Sequence, residues 1–304
     1  MLKKGTFTIS IDTELAWGKR SIGGLPIVLK NADKIPGLVR DMLTIFDRYG
    51  LHATWAVVGH LMLENAAAKS KYPAGTFKCA GSVECDDPAQ QRFWYGHGLL
   101  KDILACPTSQ EVGCHSFYHT NAGSAGLTTG QYADELKLCQ EVALREFGIH
   151  LDSFVFPRNR VAHLDALQEA GFRYYRSHHD RSWYSGLPQS IKGYGRNMDA
   201  LLALPPSVWP PVESNGLISS SGSMFLAINP RFGYSHRLRA KKILRGLDRA
   251  ARTGKDFHLW FHEFDPLIDR EGYLAVLEEV GAHYQDLKRR NLLESRCMRD
   301  TSCL

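Results

Sequence analysis

No stretch of this sequence approaches the eighteen or so uninterrupted apolar residues that a membrane-spanning helix requires, which reads against an integral membrane protein. Met1-Leu2-Lys3-Lys4 leads at once into a strand-like segment with Asp12 and Glu14 close behind, so the apolar core of a signal peptide does not fit there. No C-x-x-C pair occurs among the seven cysteines, Cys79, Cys85, Cys106, Cys114, Cys139, Cys297 and Cys303. Their odd number and irregular spacing argue against a zinc ribbon or a redox motif. A chain of 304 residues needs no disulfides to bury a core, and reduced thiols in a cytoplasmic protein are the expectation. Repeats, linkers and low-complexity blocks are missing as well, so residues 1–304 read as one domain. A large excess of either charge is missing: the net charge is +5, and with no nucleic-acid motif beside it no nucleic-acid partner is expected.

What is present is an ordinary globular composition, 44% apolar, arranged as short apolar runs alternating with helical patterns. Residues 6–11 alternate as a strand before Asp12. Residues 36–49 carry Leu38, Met42, Ile45, Phe46 and Tyr49 at helical spacing, with Gly50 as a stop. Strands follow at 52–58, 111–115, 153–156, 173–176 and 257–261, and helices at 132–147, 163–170, 238–252 and 273–287. Residues 64–110 read as a long decorated loop with short helices. Residues 180–235 are ambiguous, with short strands expected near 201–204 and 224–227. About seven strands in a βαβα alternation predict parallel strands joined by helical crossovers, and a barrel over an open sheet.

His115 and His119 lie four apart, on one face of a helical turn. Two imidazoles so placed can bind one metal ion from the same side. Thirteen histidines make chance pairs of this kind common, and a surface turn with two solvated rings would look the same. Three further constellations end strand-like segments, where barrel enzymes keep their catalytic groups. Asp12 and Glu14 could divide two tasks, one ligating a metal and the other taking a proton from its water. With one carboxylate, the histidine pair makes a set that suits zinc, and also cobalt, nickel, iron or manganese. Arg158, in Phe156-Pro157-Arg158-Asn159, could hold Asp12 ionised through a two-pronged pair; a surface arginine in a proline turn is the competing reading. His262 ends the segment His258-Leu259-Trp260-Phe261-His262 and could serve as a general acid, while His258 reads as a packed residue.

These blocks, in this order, resemble the polysaccharide deacetylase family, also called the NodB-homology domain or carbohydrate esterase family 4. Ser10-Ile11-Asp12-Thr13-Glu14 is similar to its first motif, His52 to Gly59 to its usual second strand, and Glu111 to His119 to its H-x-x-x-H motif. Phe156 to Asn159 is similar to its arginine motif and Leu259 to His262 to its last histidine motif. The resemblance implies a distorted (β/α)7 barrel with long decorating loops that hydrolyses acyl groups, usually acetyl, from amino sugars. It implies one divalent metal, zinc foremost, on Glu14, His115 and His119. Asp12 would be the general base, Arg158 the residue that positions it, and His262 the general acid. Thr13 stands where the common motif has a second aspartate; Glu14 instead fits the Asp-x-Asp spacing of some branches. The family's aromatic motif does not align, and Trp183 and Trp209 are its candidates.

The insertion at 64–110 is expected to shape the cleft, with Trp94 and Tyr95 stacking on a sugar; a loop packed onto the barrel is the plainer reading. Asn159 is a further substrate-binding candidate. The helix 238–252 sets Ala240, Ile243, Leu244, Leu247 and Ala251 against a basic face of Arg237, Arg239, Lys241, Lys242, Arg245, Arg249 and Arg252. That face is either a solvated barrel surface or a contact for anionic lipid or a phosphate-bearing carrier. The expected function is therefore metal-dependent N-deacetylation of an amino sugar, possessing a nucleotide- or lipid-phosphate link if the protein works at the inner membrane face. Two alternatives remain: a metal-dependent amide hydrolase acting on another metabolite, and a carbohydrate-binding relative without turnover.

Overall fold

The computed structural model describes residues 3–19, 25–73, 87–178, 185–228 and 235–302. Ten strands and nine helices occur among them: β1 Gly5–Thr13, α1 Leu25–Asn31, α2 Ile35–Tyr49, β2 Ala53–Val57, α3 Gln91–Trp94, α4 His97–Leu104, β3 Glu111–Cys114, α5 Thr129–Phe147, β4 Ser153–Val155, α6 Leu164–Glu169, β5 Tyr174–His178, α7 Gln189–Leu202, β6 Val212–Ser214, β7 Leu217–Gly222, β8 Met224–Phe225, α8 His236–Thr253, β9 Asp256–His262, α9 Arg270–Arg289 and β10 Leu293–Arg296. The order around the sheet is β6-β7-β5-β4-β3-β2-β1-β9-β8, all parallel except the β6–β7 pair.

The sheet closes through one bent strand. Residues 217–222 pair with β5. The Ser223 N–H then donates to the His258 carbonyl at 2.8 Å, and Met224 and Phe225 pair with β9. β7 and β8 thus bridge β5 to β9, and seven parallel strands, β1, β2, β3, β4, β5, β7/β8 and β9, form the distorted (β/α)7 barrel. β10 adds to the first half of β1, beside the position that β2 takes along its second half.

Alternation sorts the side chains of each strand between two faces. Phe7, Ile9 and Ile11 of β1 and Phe257, Leu259 and Phe261 of β9 are buried in the apolar layer under the helices. Thr8, Ser10, Asp12, Asp256, His258 and His262 point the other way, into a polar interior. Local signals bound the helices as expected. Pro36 sits in the first turn of α2 and Gly50 closes it at φ 60°; Thr128 and Gln131 form a reciprocal cap on α5.

Three readings change. Residues 201–204 are not a strand, because α7 runs through Leu202. β7 and β10 were not anticipated. Four cations of the basic face of α8 are held by the protein itself: Lys242 pairs with Asp199, Arg245 donates to the carbonyls of Leu202 and Ala203, Arg249 donates to Pro206, and Arg239 is buried. Arg237, Lys241 and Arg252 remain exposed. Among the described residues no helix is long and apolar enough to cross a membrane.

Candidate metal centre and active site

The site gathers at the carboxyl ends of the strands. β1 delivers Asp12 and, one residue past its end, Glu14. β3 leads into His115 and His119, and β9 ends on His262. Backbone strain concentrates here: Leu15, Ser116, His119, Arg158 and Asn159 all adopt φ between 47° and 59° without being glycine. Such conformations persist only where surrounding bonds hold them. Glu263 supplies some of those bonds, its Oε1 accepting the N–H groups of Glu14 at 3.1 Å and Leu15 at 2.6 Å. Glu135 supplies others, accepting from Phe117 at 2.9 Å and Tyr118 at 3.1 Å.

Glu14, His115 and His119 converge. Nε2 of His115 lies 3.0 Å and Nε2 of His119 3.2 Å from the same oxygen, Oε1 of Glu14. Nδ1 of His115 faces the Val155 carbonyl at 2.8 Å and must donate to it, which turns the Nε2 lone pair toward the carboxylate. An imidazole lone pair facing a carboxylate oxygen needs a cation between them. Two such contacts on one buried oxygen therefore fit a shared metal ion, and the two-histidine, one-carboxylate set leaves positions open for water and substrate. Gly18 makes room for Glu14, since a Cβ there would overlap Oε2. Burial works against the Glu14 charge, but the charge of the neighbouring His262 holds its carboxyl well below the usual range.

Asp12 is 3% exposed and faces a bidentate guanidinium, but not that of Arg158. Arg176 of β5 reaches across the barrel, its two terminal nitrogens donating to Oδ1 at 2.6 Å and Oδ2 at 2.7 Å. Burial would raise the Asp12 carboxyl; Arg176, His115 and His262 outweigh it and keep its pKa lowered. Arg158 is exposed on the turn after β4. A side chain beyond the strand end points along the rim, whereas an inward position on β5 points at Asp12 through the interior. Arg176 stacks on Trp260 at 4.4 Å and donates to Asn159 Oδ1 at 3.0 Å, so Asn159 joins the site as a support of the arginine. Neither Arg176 nor Trp260 was among the expected site residues: alternation puts Trp260 on the face of His262 without assigning it a role, and the inward face of β5 is not revealed by the sequence.

His262 lies 3.9 Å from Glu14 Oε1, and its Nδ1 donates to Asp265 Oδ2 at 3.0 Å. Burial pulls its pKa down, but Asp265, Glu14 and Asp12 raise it to about 10. Phe264 stacks on the ring at 5.0 Å, and Lys19 covers Phe264 at 4.5 Å.

Trp94 and Tyr95 do not offer faces to a sugar. Both are buried, Trp94 edge-on to Trp17 at 5.3 Å and Tyr95 against His60 at 4.7 Å. The Trp94 carbonyl also accepts from Trp17 Nε1 at 3.2 Å. Large rings recover more free energy in an apolar cluster than in water, so this part of the 64–110 segment packs against the loops after β1 and β2, whose Trp17 and His60 rings lie 4.8 Å apart. Trp209 is bonded to Asp256, at the opposite end of β9 from His262. Trp183 lies outside the described residues.

No protein-family model matches this chain, and no curated protein matches it. Solved structures do. A candidate polysaccharide deacetylase from Mycobacterium smegmatis superposes with a TM-score of 0.57 at 13% identity, over 97% of this chain and 93% of that one. A GH57-type branching enzyme from the archaeon Pyrococcus horikoshii gives 0.55 at 13% identity, over 97% of this chain and 70% of that one. The Bacillus subtilis peptidoglycan deacetylase PdaC covers 97% of this chain and 89% of its own at 10% identity, with a TM-score of 0.42. At these identities the likeness speaks for the fold, and the donor set must speak for the chemistry. The chain has the polysaccharide-deacetylase fold, a distorted (β/α)7 barrel with a buried Glu–His–His cluster at its mouth.

Proposed function

We propose that this protein is a metal-dependent hydrolase that removes an acyl group, N-acetyl in the first instance, from an amino sugar. The observation that carries the reading is the pair of imidazole nitrogens on one oxygen of Glu14, with Asp12 and His262 flanking that same carboxylate. A divalent ion on Glu14, His115 and His119, zinc foremost, would polarise the acyl oxygen and acidify the attacking water.

The remaining roles belong to the chain. Asp12, held ionised and aimed by Arg176, takes the proton from the attacking water. His262, kept protonated by Asp265 and the neighbouring carboxylates, hands a proton to the leaving amine. Base and acid have opposite resting charges because each sits beside groups of the other sign, which is the division of labour amide hydrolysis requires. The substrate is an acylated amino sugar, free or linked to a nucleotide or lipid phosphate; the exposed cations Arg237, Lys241 and Arg252 support a phosphate-bearing form presented near a membrane. The free thiols of Cys106, Cys114, Cys139 and Cys297 support a cytoplasmic setting.

The test is acetate release from an acetylated amino-sugar oligomer by the zinc- or cobalt-loaded protein. Wild type is expected to turn over, while His115→Ala and Asp12→Asn are not. Full activity in both variants would overturn the scheme. Tight sugar binding with no acetate release in metal-replete wild type would favour a binding protein instead.

A further inference from the structure

We propose that Ser10 and His258 are positioning residues of this reaction: they form a one-directional hydrogen-bond chain, running from Arg176 down the barrel interior to Asp256, that fixes the guanidinium and through it the base Asp12. The proposal rests on the reading of Asp12 as the base.

The chain is continuous and buried. Arg176 donates to Ser10 Oγ at 2.9 Å, Ser10 Oγ lies 2.8 Å from His258 Nε2, His258 Nδ1 lies 2.9 Å from Ser220 Oγ, and Ser220 donates to Asp256 Oδ2 at 2.8 Å. Thr8 donates to Asp256 Oδ1 at 2.8 Å. Its direction follows from one fixed end. A guanidinium can only donate, so Ser10 accepts from Arg176 and its own proton must go elsewhere. His258 Nε2 is its acceptor. His258 is then a neutral imidazole with its proton on Nδ1, which donates to Ser220, whose hydroxyl donates to Asp256. The reverse direction, with a proton on His258 Nε2, would point two donors at Ser10 and leave its hydroxyl proton without an acceptor inside the barrel, an arrangement that buried donors avoid.

Only one direction therefore satisfies every group, and it begins at the arginine that grips Asp12. Trp260 covers one face of that arginine and Asn159 one edge; Ser10 is what meets it from below. Without Ser10 or its acceptor, the guanidinium loses the contact that sets its height in the barrel. Ser220 and His258 resemble a nucleophile and its base, but both are shut off from solvent, so they serve the site from beneath.

Two measurements test this. Long-range proton–nitrogen NMR of protein labelled in histidine, at about pH 8, should show His258 with Nδ1 protonated and Nε2 bare, the signal being assigned by its loss in His258→Gln. A proton on Nε2, or an imidazolium, overturns the chain. In cobalt-loaded Ser10→Ala, kcat on an acetylated amino sugar should fall about 10- to 100-fold, the usual cost of losing an outer-shell partner. KM, cobalt affinity and melting midpoint should stay near those of wild type. His258→Leu should reproduce the loss, and His258→Gln, whose amide oxygen can accept from Ser10, should recover most of it. An unchanged kcat in Ser10→Ala, or a loss seen wholly in KM or cobalt affinity, overturns the positioning role. An inert wild type would instead overturn the reading of Asp12 as a base, while the NMR tautomer would still decide the direction of the chain.

Discussion

The barrel buries two kinds of carboxylate, and their surroundings drive them opposite ways. Asp12 and Glu14 at the mouth are ringed by Arg176, His115, His119 and His262, and both carboxyls are lowered despite full burial. Asp256, Glu111 and Glu263 are buried as deeply but meet chiefly neutral donors. Burial raises Asp256 to about 7 although Thr8 and Ser220 bond to it. It raises Glu111 to about 6 beside Thr54, and Glu263 to about 8, where the charge of Glu14 adds to the burial. Depth in the fold does not decide whether a carboxylate stays charged. The sign and strength of its neighbours do: Arg299 beside Glu111 and His262 beside Glu263 do not offset burial, whereas Arg176 at Asp12 and His262 at Glu14 do.

The sharpest way to break this contrast is to remove the cation from the mouth. Arg176→Met should leave Asp12 buried without its counter-charge, and metal-loaded hydrolysis should fall by about 1,000-fold, the scale set by loss of a preorganised charge contact. Arg158→Ala in the same assay should change the rate less than twofold; equal losses in the two variants would return the role to the rim arginine. His119→Ala should weaken zinc binding by about 100-fold or more in calorimetric titration, since one of three protein ligands is gone. Unaltered affinity would remove His119 from the centre.

Trp94→Ala separates packing from substrate contact. Emptying a buried tryptophan site should cost about 3–5 kcal/mol in denaturant unfolding and leave KM almost unaltered. A large rise in KM with full stability would restore Trp94 to the sugar-binding surface.

The smallest effect comes from the lower carboxylate. Asp256 keeps its proton to about 7 when folded but loses it near 3.8 when unfolded. Between those values the folded state binds more protons, so this group's contribution to stability declines as pH rises from about 4 to about 7 and is flat above. The wild type minus Asp256→Asn difference in melting midpoint should follow that decline. A difference that stays flat across the window would show Asp256 to be ionised throughout, like the acids at the mouth.

The H-x-x-x-H spacing and the carboxylate pair after β1 were legible because each motif is local: a strand end and a turn suffice to place Asp12, Glu14, His115 and His119 together once the strands are parallel. His262 was legible for the same reason, as the end of an alternating segment. Arg176 was not. Its stretch, Tyr-Tyr-Arg-Ser, reads equally well with the arginine outward, and a motif arginine stood ready at 158. β7 was hidden because Leu-Ile-Ser-Ser-Ser-Gly has few of the β-branched and aromatic residues that signal a strand. Among its serines, Ser220 bonds polar groups inside the barrel, Asp256 and His258.

By itself, then, the sequence determined the helices α2, α5, α6, α8 and α9, most of the strands, and the groups at the strand ends that could hold a metal and move protons. Which arginine meets Asp12, that Trp94 and Tyr95 turn inward, and that His258 belongs to a polar chain were decided only when the bent strand β7/β8 joined β5 to β9. Alternation says that neighbouring side chains face opposite ways. Closure of the ring says which of those ways is the inside and what waits across it.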